Sequence, residues 1–150
     1  MPFPTGSSLV AYLRDSGHET QELSIEQQEI ELRDWCDRHD YILSRIFKDT
    51  GTGTTTAGRS QFKAMLHYMR SDSREEQGLI VWKWSRFARN IDDAQFYRAD
   101  LRRRGITLYS INDDIPQGPE GRFFEAAIDW MNQAYIDDLK EDTKRGLKNL

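Results

Sequence analysis

The sequence has little of what stabilises disulfide-rich or metal-dependent domains. It contains one cysteine, Cys36, so no disulfide can form within the chain, and this usage fits a reducing cytoplasm. Its three histidines are scattered and give none of the ligand spacings of a zinc site. We therefore predict no metal site, and no pattern in the sequence requires another cofactor.

Long apolar runs are also missing, which argues against a membrane-spanning helix. The first eight residues lack the basic start and apolar centre of a signal peptide, and their prolines, glycine and serines predict a flexible lead-in over 1–8. With 150 residues, 37% of them hydrophobic, the chain can build one core. We place an α/β domain at 9–121 and a long helix at 122–150.

An overall positive charge is absent as well. The net charge is −4, which argues mildly against a nucleic-acid partner. The charge is unevenly spread, however. Residues 79–105 hold seven Lys or Arg and three Asp, a local +4 that leaves −8 for the rest of the chain. Because placement matters more than net charge, this basic segment can still meet a phosphate backbone.

A short apolar run at residues 9–13 is typical of a strand buried on both faces. Arg14 and Ser16 follow it, at the edge where ligands bind in an open parallel sheet. A guanidinium that holds an anionic oxygen, beside a hydroxyl that can attack, suits phosphate chemistry. The alternative is a polar turn after a core strand, which is the commoner explanation for such residues taken alone.

A second cationic segment, residues 83–90, follows the predicted strand 79–82 and alternates cations with bulky apolar residues. Arg86 and Arg89 are three apart, a spacing that puts both on one helical face, and the interleaved Trp84 and Phe87 imply that this face is half-buried. A half-buried arginine needs an anion. It can be a bound phosphate or an internal carboxylate, and we favour the phosphate.

A helix is predicted from Ser24, which forms a capping box with Gln27, to near Arg38. Gln28 shares its inner face, so this side chain either bonds nearby backbone or points into the crevice at the strand ends. The Thr- and Gly-rich loop 49–58 can bind anions. It lacks the Gly-Lys-Ser/Thr ending of a P-loop, which argues against ATP or GTP.

Further strands at 41–48 and 106–111, with helices after residue 59 and over 91–104, predict a three-layer α/β/α domain with a mainly parallel four-stranded sheet. The last helix is predicted to start near residue 122 and is apolar on more than one face in its first half. A helix packed on a sheet hides only one face. The surplus predicts a homo-oligomer, with an interface at Phe124, Met131 and Tyr135.

Four motifs in register resemble the serine recombinases, a family of resolvases, invertases and large serine integrases. They are Tyr12-Leu-Arg14-Asp-Ser16, Ser24-Ile-Glu-Gln-Gln28, the loop from Asp49 to Arg59, and Lys83-Trp-Ser-Arg86-Phe-Ala-Arg89-Asn90. The Trp- and Arg-rich last motif is closest to the large integrase and transposase branch. The resemblance implies a resolvase-like fold in a bacterial or phage protein that recombines DNA in the cytoplasm.

The resemblance also implies a reaction, in which Ser16 attacks a DNA phosphodiester to give a 5′-phosphoserine intermediate. Strands are then exchanged and religated without metal or ATP, by dimers that pair into a synaptic tetramer. Arg14, Arg86 and Arg89 would hold the phosphate. The residues that would support them are Tyr12, Gln28, Asp49, Thr52, Arg59, Lys83 and Ser85.

The chain departs from the family pattern at two positions. Thr52 or Thr54 stands where the family usually has Ser, which keeps the hydroxyl. Ser85 stands where many members have Asp, which leaves the group that deprotonates Ser16 unassigned. A non-catalytic, recombinase-like oligomerisation module and a flavodoxin-like phosphate or nucleotide binder are therefore alternatives. DNA-binding domains that set the target sequence are expected to follow residue 150.

Overall fold

The structure is a computed structural model that describes residues 2–15, 24–50, 59–88, 91–116 and 118–148. Its sheet has four strands, all paired in parallel, in the order β2-β1-β3-β4. The elements along the chain are β1 (Ser8–Arg14), α1 (Ile25–Arg38), β2 (Ile42–Asp49), α2 (Ser60–Met69), β3 (Gly78–Val81), α3 (Ile91–Arg103), β4 (Thr107–Ser110) and α4 (Pro119–Lys148). The predicted α/β fold is confirmed, with element ends shifted by a few residues.

The sheet lies between two helical layers, as predicted. On one face, Leu9, Ala11 and Leu13 of β1 belong to a buried cluster with α1 residues such as Leu32. On the other face, Val10 and Tyr12 belong to a cluster built with α2 and α3. Strand β1 is therefore buried on both sides, and its end lies beside that of β3.

Residues 2–8, predicted as a flexible lead-in, make contacts with the core. Phe3 is buried, its carbonyl accepts a 2.8 Å bond from the Tyr41 hydroxyl, and its ring lies where a side chain on Gly78 would stand. Ser8 already belongs to β1. The abundance of small and turn-forming residues predicted flexibility, but one aromatic side chain packed into the core fixes this segment.

Local signals set two helix ends where the sequence predicts them. The Ser24 hydroxyl accepts the Gln27 N–H at 3.3 Å and so caps α1. At the end of α3, Gly105 adopts a positive φ of 84°. This left-handed residue lets the Ile106 N–H reach the Leu101 carbonyl at 3.1 Å, a bond that closes the helix end.

Helix α4 begins at Pro119, three residues before the predicted start near 122, and proline suits a first helical position. Its inner contacts include Ile128, which packs against the core, and buried charged residues. Arg98 of α3 forms a buried two-bond ion pair with Asp129 of α4, and Arg102 bonds Glu125 at 2.8 and 2.6 Å. Among the described residues, no helix is both long enough and apolar enough to cross a membrane.

Candidate active site

Two neighbouring strand ends are joined by a direct hydrogen bond. Arg14 ends β1, and its Nη2 donates to the carbonyl of Ser85, just beyond β3, at 2.7 Å. Gln28 of α1 is fully buried and donates from Nε2 to the Arg14 carbonyl at 3.2 Å. Of the two roles left open for Gln28, the backbone bond is therefore present, and its acceptor belongs to the residue that ends β1.

Tyr12, Asp49 and Arg59 form a buried network at the same edge of the sheet. The Tyr12 hydroxyl donates to Asp49 Oδ2 at 2.7 Å and accepts from Arg59 Nε and Nη2 at 3.3 and 3.2 Å. Arg59 Nη2 also donates to the carbonyl of Phe87, so the network reaches the segment after β3. The Tyr12 hydroxyl thus joins two residues that lie 37 and 47 positions further along the chain.

The Asp49 side chain also caps the N-terminus of helix α2, although Asp49 is not the residue at the N-cap position. Its Oδ1 accepts the Gln61 N–H at 3.0 Å and its Oδ2 accepts the Phe62 N–H at 2.9 Å. The residue at the N-cap position, Arg59, makes no capping bond with its own side chain. Because these N–H groups would otherwise lack acceptors, Asp49 fixes the start of α2 relative to β2.

The electrostatics of this network keep Tyr12 protonated. Burial raises the pKa of the Tyr12 hydroxyl well above its ordinary value of 10.0. The charge of Arg59 opposes this shift, and the hydrogen bond to Asp49 reinforces it. Tyr12 is therefore a neutral donor to Asp49 at physiological pH, rather than a base.

The cationic segment 83–88 is largely buried, more so than the half-buried face that its apolar residues predict. Trp84, Arg86 and Phe87 are all buried. The Trp82 ring faces two cations, with Lys83 Nζ at 5.1 Å and Arg86 Cζ at 5.6 Å from its centroid. These distances lie within the range of cation–π attraction. Lys83 and Arg86 therefore share one aromatic surface beside the end of β1.

Several predicted site residues are not positioned by the structure, because Ser16, Thr52 and Arg89 lie outside the described residues. Ser85 is described, and it is the backbone carbonyl, not the side chain, that holds Arg14. This bond does not depend on which side chain occupies position 85. The described residues contain no group of three or more His, Cys, Asp or Glu that could hold a metal ion.

Sequence reasoning missed three contacts around this site. Asp113, beyond β4, accepts the Trp84 N–H at 2.7 Å, and Arg98 lies 4.9 Å from the centre of the Trp84 ring. Glu31 of α1 accepts the Trp82 indole N–H at 2.6 Å. One signal was available for Arg98, since the spacing of four shared by Arg98–Arg102 and Glu125–Asp129 allows two helices to pair.

Comparison with known proteins identifies the family. The family described as "Resolvase, N terminal domain" matches residues 9–150. The serine recombinase gin of Escherichia phage Mu is 30% identical over 104 residues, which are 69% of this chain and 51% of gin. A DNA-invertase of Enterobacteria phage P7 is 30% identical over 103 residues, covering 68% and 53% of the two chains. The chain thus spans about half the length of these curated relatives.

Solved structures agree on the fold. A resolvase family site-specific recombinase from Streptococcus pneumoniae superposes with a TM-score of 0.67 at 21% identity, covering 95% of this chain and 99% of that one. The N-terminal catalytic domain of TP901-1 integrase gives 0.66 at 18% identity, covering 91% and 98%. With the family match over 9–150, these findings establish that this chain belongs to the resolvase N-terminal domain family of serine recombinases.

Proposed function

We propose that this chain is the catalytic domain of a site-specific DNA recombinase in which Ser16 attacks a DNA phosphodiester. The observation that carries the proposal is the junction of two strand ends. Arg14, two residues before Ser16, is bonded to the backbone of residue 85, between Lys83 and Arg86. Cations from both strand ends therefore meet at the edge where parallel sheets bind ligands, and Arg14 precedes the proposed nucleophile by two residues in the sequence.

The proposed reaction exchanges one phosphate ester for another. Ser16 Oγ forms a bond to phosphorus while the bond to the 3′ oxygen breaks, which gives a 5′-phosphoserine and a free 3′ hydroxyl. The serine proton leaves and the 3′ oxygen gains one, so protons balance. Because the number of ester bonds is unchanged, religation requires no ATP, and fixed guanidinium groups can stabilise the added charge without a metal.

The predicted site residues divide into two groups in this proposal. Arg14, Arg86 and Arg89 hold the phosphate that Ser16 attacks. The others support them: Tyr12, Gln28, Asp49, Thr52, Arg59, Lys83 and Ser85. The contacts of Tyr12, Asp49 and Arg59 support such a role, because they tie the β1 strand to α2 and to the carbonyl of Phe87.

DNA is the proposed partner, and a second copy of the chain is the other. On α4, large apolar side chains face solvent, with exposures from 45% to 76%: Phe123, Phe124, Trp130, Met131 and Tyr135. An exposed apolar surface of this kind typically marks an interaction site. We place a dimer contact there, within a synaptic tetramer. The cytoplasm is the proposed location, because its reducing conditions suit a chain whose single cysteine, Cys36, is a buried free thiol.

Covalent capture tests this proposal. The native gene product is incubated, in chelator and without ATP, with labelled DNA fragments that flank its own gene, and protein-linked DNA is collected. We expect the label to be joined through a 5′ phosphate to Ser16. Ser16→Ala should abolish the adduct, while the surface variant Ser73→Ala should not change it.

Two results would contradict the mechanism: an adduct that persists in Ser16→Ala, or one that forms only with added magnesium. A folded wild-type chain that self-associates but never links to DNA would instead favour the non-catalytic oligomerisation module. The exposed face of α4 is compatible with that alternative, so the adduct is the measurement that decides.

A further inference from the structure

Trp82 occupies a central place between the sheet and the cations that the proposed function uses. It directly follows β3, and its ring is buried. Lys83 Nζ and Arg86 Cζ lie 5.1 and 5.6 Å from the ring centroid. A rotation of the indole would therefore change the surface against which both cations rest.

The single polar atom of this buried indole has a hydrogen-bond acceptor. A buried tryptophan N–H needs an acceptor, and Trp82 Nε1 donates to Glu31 Oε2 at 2.6 Å. The same carboxylate oxygen accepts from Asn112 Nδ2 at 3.3 Å, and the Asn112 N–H bonds the Trp82 carbonyl at 3.2 Å. The ring is thus held between α1 and the segment after β4.

Glu31 lies on the side of α1 that faces the strand ends. It follows Gln28 by three residues, the spacing of neighbours on one helical face, and Gln28 bonds the Arg14 carbonyl. A bond from a charged acceptor is shorter and stronger than a neutral one. The 2.6 Å contact of Glu31 is therefore well suited to fix the ring.

We propose that Glu31 is a positioning residue that acts through Trp82 to orient Lys83 and Arg86 for the DNA phosphate. This inference rests on the proposed function, because it assigns those two cations to the phosphate. It adds a residue of α1 whose proposed role is exerted through the Trp82 ring. A carboxylate that only ties α1 to the sheet is the alternative that the experiments must separate.

The first experiment measures the rate of adduct formation with the native gene product and the flanking DNA fragments. Since a small misplacement of catalytic groups can cost on the order of a hundredfold, Glu31→Ala should slow the rate by about 10- to 100-fold. Glu31→Gln should restore it to within about threefold of wild type, because the amide oxygen still accepts the indole N–H. The control is Asp34→Ala, an acid of α1 whose ion pair with Arg38 is exposed on both sides.

A double-mutant cycle then tests whether Glu31 acts through the ring. Trp82→Phe keeps an aromatic face but removes the N–H, so Glu31→Ala should have no further effect in that background. Multiplying effects in the double variant would overturn the proposal. So would a slow Glu31→Gln with an unchanged melting temperature, because the charge, not the hydrogen bond, would then be what matters.

Nitrogen–proton NMR supplies a readout that needs no DNA cleavage. In Glu31→Ala, the Trp82 indole signal should move upfield, and the Arg86 Nε–H signal should shift with it because the ring current at Arg86 changes. Glu31→Gln and Asp34→Ala should leave the Arg86 signal near its wild-type position. If the indole signal moves while Arg86 does not, the link between ring and cation is refuted. If these shifts appear but the wild type forms no adduct, the proposed function has failed while the positioning contact stands.

Discussion

Helices α1 and α4 bury opposite kinds of side chain. Helix α1 buries apolar residues such as Leu32 and Trp35, and most of its charges face solvent. Helix α4 buries two carboxylates, Glu125 and Asp129, and exposes large apolar residues, among them Trp130 at 66%. Both helices pack against the same domain, but their buried and exposed faces differ in chemical character.

The inner face of α1 is held by apolar burial, which depends little on matched partners. The inner face of α4 depends on two arginines of α3 that meet two carboxylates. Apolar residues on the outside of α4 gain nothing from this chain alone, whereas a second apolar surface would cover them. Among the described residues, α1 thus buries an apolar face, whereas α4 buries carboxylates and leaves large apolar side chains exposed.

The largest effect should come from breaking the charged inner face of α4. In Arg98→Ala, the buried Asp129 carboxylate loses its ion-pair partner while Glu125 keeps Arg102, and removing one side of a buried ion pair typically costs about 3–5 kcal/mol. Urea unfolding measures the change. Arg103→Ala is the matched control, since its side chain is 72% exposed and should shift stability by less than about 0.5 kcal/mol.

The same pair allows a sharper version of this test. Replacing both charges by apolar residues, as in Arg98→Met with Asp129→Leu, should recover most of the loss, because such exchanges are often neutral. Equal destabilisation by the single and the double variant would show that the charges are not what holds α4.

A substitution on the outer face of α4 should weaken self-association and leave the stability of the single chain nearly unchanged. Tyr135→Ser should weaken self-association by about 2 kcal/mol or more, since buried tyrosines often dominate interfaces. Unfolding of the dilute chain should change by less than about 0.5 kcal/mol, because Tyr135 is 63% exposed. Sedimentation at several concentrations measures the association.

Ile30→Ser is the control for the outer face. Ile30 is 66% exposed on α1, so it matches Tyr135 in exposure but lies outside the proposed interface. A wild-type chain that stays monomeric would refute an interface on α4. So would an equal loss of self-association in Tyr135→Ser and Ile30→Ser.

The two helices also show how far the sequence alone can lead. Helix α1 was predictable because its cap, its apolar spacing and its end agree: Ser24, Leu32 and the turn after Arg38. For α4 the apolar surplus was visible, but not which face points inward, since that depends on Arg98 and Arg102 of another helix. Periodicity identifies an apolar face, whereas the matched spacing of the arginines and the carboxylates shows only that two helices can pair, not that the charged faces are buried.

The candidate site divides in the same manner. The strand-end position of Arg14 and the burial of apolar residues after β3 follow from local pattern and parallel topology. The grouping of Tyr12, Asp49 and Arg59 came from the family resemblance, because contacts over such separations leave no local signal. Neither route predicted that Asp49 caps α2 or that Glu31 bonds Trp82, since both bonds depend on the folded geometry.

The smallest effect should come from the partly exposed charges of α1. Glu29 pairs with Lys48 of β2 and with Arg33 at 2.9 Å, and the hydrogen bond from Lys48, followed by that from Arg33, holds the Glu29 pKa below its ordinary 4.5. Between the lowered pKa and 4.5, the unfolded chain binds more protons than the folded one, so stability rises with pH across this window. The contribution is complete above pH 4.5 and is lost as pH falls through the folded pKa.

Glu29→Gln should therefore flatten the acid limb of stability against pH, and cost only about 0–1 kcal/mol near neutrality because the pair is partly solvated. Urea unfolding from about pH 3 to about pH 7 measures both effects. Lys48→Gln removes the main cause of the shift and should flatten the limb to a similar degree, with little further change in the double variant. If the free energy of unfolding of Glu29→Gln falls with acid as steeply as that of the wild type, other carboxylates cause the acid sensitivity. The pair of Glu29 with Lys48 would then make no measurable contribution to holding α1 against β2.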